Sequence, residues 1–382
     1  MNTKIKIIYL AGFLLSLPIA LTSYINSSLI SSYINPVYLG FIYIFASVLT
    51  ILGMMQMPKL LTRVGNRTIT LIFCIIAMLS LATIAVSQTG FVVITAFIIS
   101  FIMFNLLVAN LDIFIENFSN NKDTGRIRGL YLSITSASWV LAQIISGSII
   151  NKSSFAGIYT LSAMFTILVF LIFYFFLTDF KDPEYKKVPV FRTIKNFIKS
   201  KHLSKIFIIN LILKFFYTWM VIYTPIYLHE YMLFPWDKIG IIFSIMLLPF
   251  VLLDYPLGKL SDKIGEKKML LIGFIVITLS TLAIPFVKTN TFLVWSLVLL
   301  LTRVGAATIE TMSESYFFKY IDPENADAIS FFRNTTPLSF ILGPALAIPI
   351  LLYVPSFEYI FFVLGAILMI GFWITLRLRD VK

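Results

Sequence analysis

The sequence predicts an all-α membrane protein with twelve spans, arranged as two related six-helix bundles. Three observations carry that reading. Of the 382 residues, 59% are hydrophobic and only 13% charged, where a soluble chain is roughly a quarter charged, and mean hydropathy is +0.93. Apolar runs long enough to cross a bilayer, about 20 residues each, recur from end to end. Lys and Arg collect in alternate connecting segments, as they do where basic loops orient membrane helices.

The spans are read at 6–30, 36–58, 68–87, 91–116, 128–151, 155–177, 205–229, 238–258, 268–287, 291–317, 326–351 and 356–377. The first run follows Lys4 and Lys6, which gives it the opening of a signal peptide. It continues past Tyr24 with no small-residue cleavage site, so it is read as a retained helix entered from the cytoplasm. Alternating from there puts Lys59, Arg63, Arg67, Lys122, Arg126, Arg128, Lys259, Lys263, Lys267, Lys268, Lys319 and Arg377 inside, and leaves Lys152, Lys238 and Lys288 outside. An error of one span would scramble this asymmetry. Both termini are therefore expected in the cytoplasm, and the compact loops suit a bacterial inner membrane. The net charge of +12 is read the same way, as orienting charge, and not as a surface for nucleic acid. The single cysteine, Cys74, lies in an apolar run and makes neither a disulfide nor a metal site.

The longest polar stretch, 178–204, divides the chain into bundles at 1–178 and 205–382 with a linker at 179–204. It carries Lys181, Lys186, Lys187, Arg192, Lys195, Lys199 and Lys201, with Phe191, Ile194, Phe197 and Ile198 at helical spacing. That pattern is an amphipathic helix lying on the inner leaflet, in contact with lipid. It links the halves; the rival reading is a site for acidic lipid or a partner.

The halves repeat one another. Pro58-Lys59-Leu60-Leu61-Thr62-Arg63-Val64-Gly65-Asn66-Arg67 joins spans two and three, and Gly258-Lys259-Leu260-Ser261-Asp262-Lys263-Ile264-Gly265-Glu266-Lys267 joins spans eight and nine. Gly65 and Gly265 are 200 residues apart. Asn105, Asp112 and Glu116 of span four correspond to Arg303, Glu310 and Glu314 of span ten, each pair 198 apart. Those spacings put one polar stripe on the fourth helix of each half, and an even number of spans per half gives parallel repeats.

These two loops resemble the signature of the major facilitator superfamily, Gly-x-x-x-Asp-(Arg/Lys)-x-Gly-x-(Arg/Lys). The second copy fits through Gly258, Asp262, Lys263, Gly265 and Lys267. The first keeps Arg63, Gly65 and Arg67 but has Pro58 and Thr62 where glycine and aspartate are expected. The resemblance covers the whole chain through span count, repeat order and central loop. It implies the superfamily's fold and alternating access, in which two halves rock about a central site. A carboxylate in this loop can pair with basic groups and with a helix N-terminus. Asp262 is therefore expected to carry the inner latch alone, against Lys263 and the start of span five near Arg126 and Arg128. Drug exporters of this kind often carry Gly-Pro in span five; here that region, Trp139 to Gly147, lacks it, and the nearest such pair is Gly343-Pro344 in span eleven.

Charges within the spans mark candidate sites, because each is costly in hydrocarbon unless it pairs, meets water or binds a solute. Lys214 and Arg303 fall near mid-span with no acid expected at their depth, which points to an anionic group of a solute. Glu310 lies two turns from Arg303, about 10 Å along the axis, as a group that takes up a proton. Asn105, Gln143, Tyr217 and Trp219 are the uncharged candidates. Nearer the inner surface, Glu310 and Glu314 are expected to pair with Arg333, and Glu116 with Arg126 or Arg128. Pro18, Pro225, Pro249, Pro337 and Pro344 are expected to kink their helices.

The function read from this is secondary transport of a small solute, an anionic or zwitterionic metabolite, with a proton-coupled cycle as one reading and uniport as the other. The chain is expected to act as a monomer, without cofactor, metal or catalytic residue, and it has no Gly-x-x-x-x-Gly-Lys-(Ser/Thr) loop for nucleotide. The alternative within the family is a lipophilic drug exporter. From other classes come a non-transporting sensor and a membrane-embedded transferase. The transferase is disfavoured because His202 and His229 lie in loops on opposite sides of the membrane.

Overall fold

The computed structural model describes residues 3–118, 124–177, 200–253, 256–257, 260, 264–320, 332, 334–354 and 356–378. Among these residues the chain is helical and contains no strand. In order, the helices are α1 (Thr3–Ser23), α2 (Asn26–Ser31), α3 (Leu39–Val64), α4 (Asn66–Val86), α5 (Gly90–Phe118) and α6 (Thr124–Phe176), then α7 (Lys201–Ile226), α8 (Trp236–Leu252), α9 (Glu266–Ala283), α10 (Phe292–Tyr320), α11 (Thr335–Tyr353) and α12 (Tyr359–Leu376). Large apolar side chains such as Leu279, Phe286 and Trp373 are left exposed, as a lipid-facing surface requires.

Eleven stretches among the described residues are long and apolar enough to cross a membrane. The twelfth expected span corresponds to α8, which is described for 17 residues and ends at Leu252, short of the expected 258. The expected break between spans five and six falls inside α6, where Ser154 takes φ 59° and ψ −170° and turns the helix back on itself. Pro18, Pro225, Pro249 and Pro344 lie within helices, as expected. Pro337 does not act as a kink. It sits in the first turn of α11, where its missing N–H has no partner to lose.

The turns explain themselves locally. Asn35 accepts from the Val37 amide at 3.0 Å and opens a short 3-10 turn at Pro36. Ser200 caps α7 by accepting from the Leu203 amide at 3.3 Å. The second glycines of the two loop copies, Gly65 and Gly265, share one backbone conformation. Gly65 has φ 83° and ψ 152°, and Gly265 has φ 87° and ψ 149°. Side chains essentially exclude that region, so glycine is required at both places. Gly65 separates α3 from α4, and Gly265 immediately precedes α9.

The helices form two compact units, Met1–Lys187 with Pro235–Ser244, and Val188–Phe234 with Ile245–Lys382. In the first, α1 packs on α6, α6 on α4, and α5 on α3 and α4. Hydrogen bonds tie these apolar surfaces together: Tyr159 donates to Asn26 at 2.6 Å, and Asn110 donates to Thr70 at 3.2 Å. Arg67 closes the end of α6, donating to the carbonyls of Phe173 and Tyr174 at 3.0 and 2.6 Å. Gly147 lets the start of α8 approach so closely that a Cβ there would meet the Trp236 carbonyl oxygen at 2.5 Å.

In the second unit α9 lies between α10 and α12, and α7 touches α10, α11 and α12. The crossing of α9 and α10 runs over Gly273 and Gly305, another small-residue contact. At one end of the unit Lys288 forks onto Glu358 at 2.7 and 2.9 Å, and the Tyr227 hydroxyl reaches the same carboxylate at 3.4 Å.

Because both loop glycines occupy a glycine-only conformation, Gly65→Ala or Gly265→Ala should destabilise the fold by about 1–3 kcal/mol. Thermal unfolding in detergent should show a melting point lower by several degrees. An unchanged melting point for Gly265→Ala would mean that the turn relaxes at no cost.

Candidate functional site

The polar face of α7 is set by spacing. Asn210, Lys214 and Thr218 recur every fourth residue, so they lie along one side of the helix. Asn210 donates to Thr335 at 3.1 Å, and Thr218 shares a hydrogen bond with Ser339 at 2.8 Å. One turn further, the Trp219 indole donates to the Gly343 carbonyl at 2.7 Å. These contacts fix how α7 is rotated against α11, one turn to either side of Lys214.

So held, α7 presents Lys214 and Tyr217 to α10. Lys214 Nζ lies 2.6 Å from Glu310 Oε1, and the Tyr217 hydroxyl donates to Glu310 Oε2 at 2.9 Å. Both carboxylate oxygens therefore have a donor from one neighbouring helix. The ammonium also lies 5.1 Å from the Tyr217 ring centre. Arg303, two turns along α10, places its guanidinium 4.9 Å from the Phe216 ring and 5.4 Å from that of Tyr217. Tyr217 thus has a cation near its ring from each of two helices, at distances where such contacts are attractive.

Accessibility separates the two basic residues. Lys214 and Glu310 keep 21% and 28% of their side-chain surface exposed, while Arg303 keeps 1%. The expectation that Lys214 has no acid at its depth is overturned. Lys214 is the 14th of 26 residues in α7 and Glu310 lies beyond the middle of α10, but the long lysine stem carries the charge away from its own Cα. Glu310 pairs with Lys214; Arg333, its expected partner, lies outside the described residues.

Trp219 is 1% exposed. Asn105 and Gln143 belong to the first unit. Asn105 donates back to Phe101 of its own helix at 2.8 Å. Gln143 is buried and donates to the Ala20 carbonyl at 2.8 Å, beside a small pocket that Tyr24, Trp236 and Phe243 also line. Of the gate residues, Arg63 is exposed, Lys267 and Glu314 are half-buried, and Gly65, Arg67 and Gly265 are placed as described above. Gly258, Asp262 and Lys263 lie outside the described residues, as do the side chains of Glu116, Arg126 and Arg128. The Asp262 latch therefore has no structural description.

Several partners escaped the sequence reading. Phe216, Thr218, Thr335 and Ser339 were not singled out, although the matching four-residue steps of 210, 214, 218 and 335, 339, 343 carried a signal. Glu266 was seen only as part of a loop. It is 2% exposed in the first turn of α9, where a helix N-terminus favours a carboxylate, and it accepts from Ser315 at 3.3 Å.

The sequence model of the Major Facilitator Superfamily matches residues 8–238 and again 237–382. The chain belongs to the Major Facilitator Superfamily. It is thus a multi-pass integral membrane protein of a secondary-transporter family, as the repeated loops implied. Among curated proteins no significant match is found. For a superfamily member, an accessible ion pair between two helices of one bundle is the arrangement with the most chemical scope. It offers a cation to an acidic group, and a carboxylate able to take a proton.

The pair should be measurable as a coupling. Lys214→Met and Glu310→Gln should each lower stability by about 1–3 kcal/mol, since each leaves a polar partner uncompensated. The double variant should lose clearly less than the sum. Additive losses in detergent unfolding would show that the two side chains do not interact.

Proposed function

We propose that this superfamily member is a proton-coupled secondary transporter working by alternating access, with Lys214 and Glu310 at its solute site. The observation that carries this reading is the partly exposed pair, 2.6 Å apart, whose carboxylate is also held by Tyr217. Lys214 takes the acidic group of an anionic or zwitterionic solute. Glu310 releases the ammonium when it takes a proton, which links solute binding to proton binding. Arg303, beneath the rings of Phe216 and Tyr217, acts through Tyr217 and adds positive potential.

The remainder of the assignment follows the family architecture. The bundles 1–178 and 205–382 move about the central site, with 179–204 as linker, in a monomer whose termini are both cytoplasmic in a bacterial inner membrane. The repeated loop works the cytoplasmic gate. The shared backbone shape of Gly65 and Gly265 supports a common role for the two copies.

Binding to the folded state raises apparent stability by mass action. Organic anions, amino acids, sugars and lipophilic cations should therefore be screened by thermal shift on the purified protein. An organic anion or amino acid should stabilise it, and Lys214→Ala should remove the shift. Stabilisation by lipophilic cations alone would make the pair structural and the protein a drug exporter.

A further inference from the structure

The solute site, if it is built on Lys214 and Glu310 as proposed above, has an asymmetry that its charges alone do not show. Glu310 already has a donor on each oxygen, Lys214 on Oε1 and Tyr217 on Oε2. Lys214 has three N–H donors, and its hydrogen bonding among the described residues is confined to Glu310. The open bonding capacity therefore favours a group that accepts hydrogen bonds. An ammonium arriving at Glu310 would compete with two donors already in place, and would face the Arg303 charge behind Tyr217.

An acidic group bound to Lys214 comes to lie beside Glu310, so two anions share one ammonium. In a site only partly open to water that repulsion exceeds its value in bulk solvent. A proton on Glu310 removes it. Conversely, a proton on Glu310 without the solute leaves Lys214 uncompensated within the bilayer, which is costly. Solute and proton each favour the other, and the coupling is reciprocal.

The charged and titratable groups around Glu310 are few among the described residues. From α7 come Lys214 and Tyr217, and further along it His202, whose Nδ1 lies 3.0 Å from the Tyr316 hydroxyl of α10. On α10 itself stand Arg303, two turns away, and Glu314, one turn away. From α9 comes Glu266, held at Ser315 beyond Glu314. Glu310 is the acid that touches the ammonium.

We infer that the solute is a monoanion, bound at Lys214 together with one proton on Glu310, so that the pair crosses the membrane in the same direction without net charge. The proton comes from water on the entry side, adds to the Glu310 carboxylate as O–H, and returns to water on the exit side. Tyr217 keeps its own proton throughout. The site holds the same net charge empty and loaded, because the added anion and added proton cancel.

The test is calorimetric titration of the full chain in detergent with lactate, gluconate, succinate and alanine, each in buffers of different protonation enthalpy. The inference expects a monoanion to bind with uptake of about one proton per molecule, its affinity falling about tenfold per pH unit where Glu310 is ionised in the free protein. Glu310→Gln should bind that anion with no proton uptake and an affinity flat in pH, and Lys214→Met should not bind it. Binding of gluconate or lactate without proton uptake would overturn the inference, while loss of that binding in Lys214→Met would leave the site standing. Preferential binding of alanine or succinate would overturn the monoanion assignment in the same way. Binding that survives in Lys214→Met, or no binding by any of the four, would overturn site and inference together.

Discussion

Hydrocarbon offers no hydrogen bonds, and that constraint governs everything else in this molecule. Every backbone amide and carbonyl within the bilayer must find its partner in the chain, which leaves helices as the form for the spans. The constraint also governs the side chains. Thr50, Thr70, Thr166 and Thr375 each donate to the carbonyl four residues back in their own helix. Where a polar group needs a partner on another helix, as at Asn210 with Thr335 or Tyr159 with Asn26, that need fixes how the two helices are rotated. Between lipid-like surfaces, rotation is otherwise weakly specified, because apolar contact alone has little directional preference.

The charged cluster extends the same logic. Lys214, Tyr217 and Glu310 satisfy one another within one unit, and Arg303 is covered by aromatic faces instead of water. The hydroxyl and amide pairs between α7 and α11 support that arrangement from behind. Support and site share one helix face, so a change at Thr218 or Ser339 would be felt at Lys214 through the setting of α7. The residues that aim the site are uncharged and buried, and Lys214 and Glu310 are the more accessible.

Much of the fold was legible because hydropathy and basic-loop asymmetry report on single segments. The spans, the break near Ser154, the glycine loops and the duplication all follow from local pattern. The family followed from those loops. The pairing of Lys214 with Glu310 was not legible, because it depends on the relative rotation of two helices almost a hundred residues apart and on the reach of a flexible stem. Depth counted from span ends locates a Cα and not an ammonium. Pro337 misled for a different reason: its effect depends on whether it lies in the first turn, and α11 begins at Thr335, later than the expected start at 326. For Trp219 pattern alone does not separate a solute platform from packing. Here its indole is spent on the Gly343 carbonyl.

The paired glycine turns bear on how the two halves have diverged. The first copy of the loop has Thr62 where the second has Asp262, and the two differ at most other positions. Yet Gly65 and Gly265 agree within 4° in φ and 3° in ψ. Through the drift of one half away from the other, the feature retained is a shape of the main chain. Basic charge is present in both copies and acidic charge only in the second, at Asp262 and Glu266, while the backbone conformation of the glycine is common to both. The duplication survives here as geometry more faithfully than as sequence.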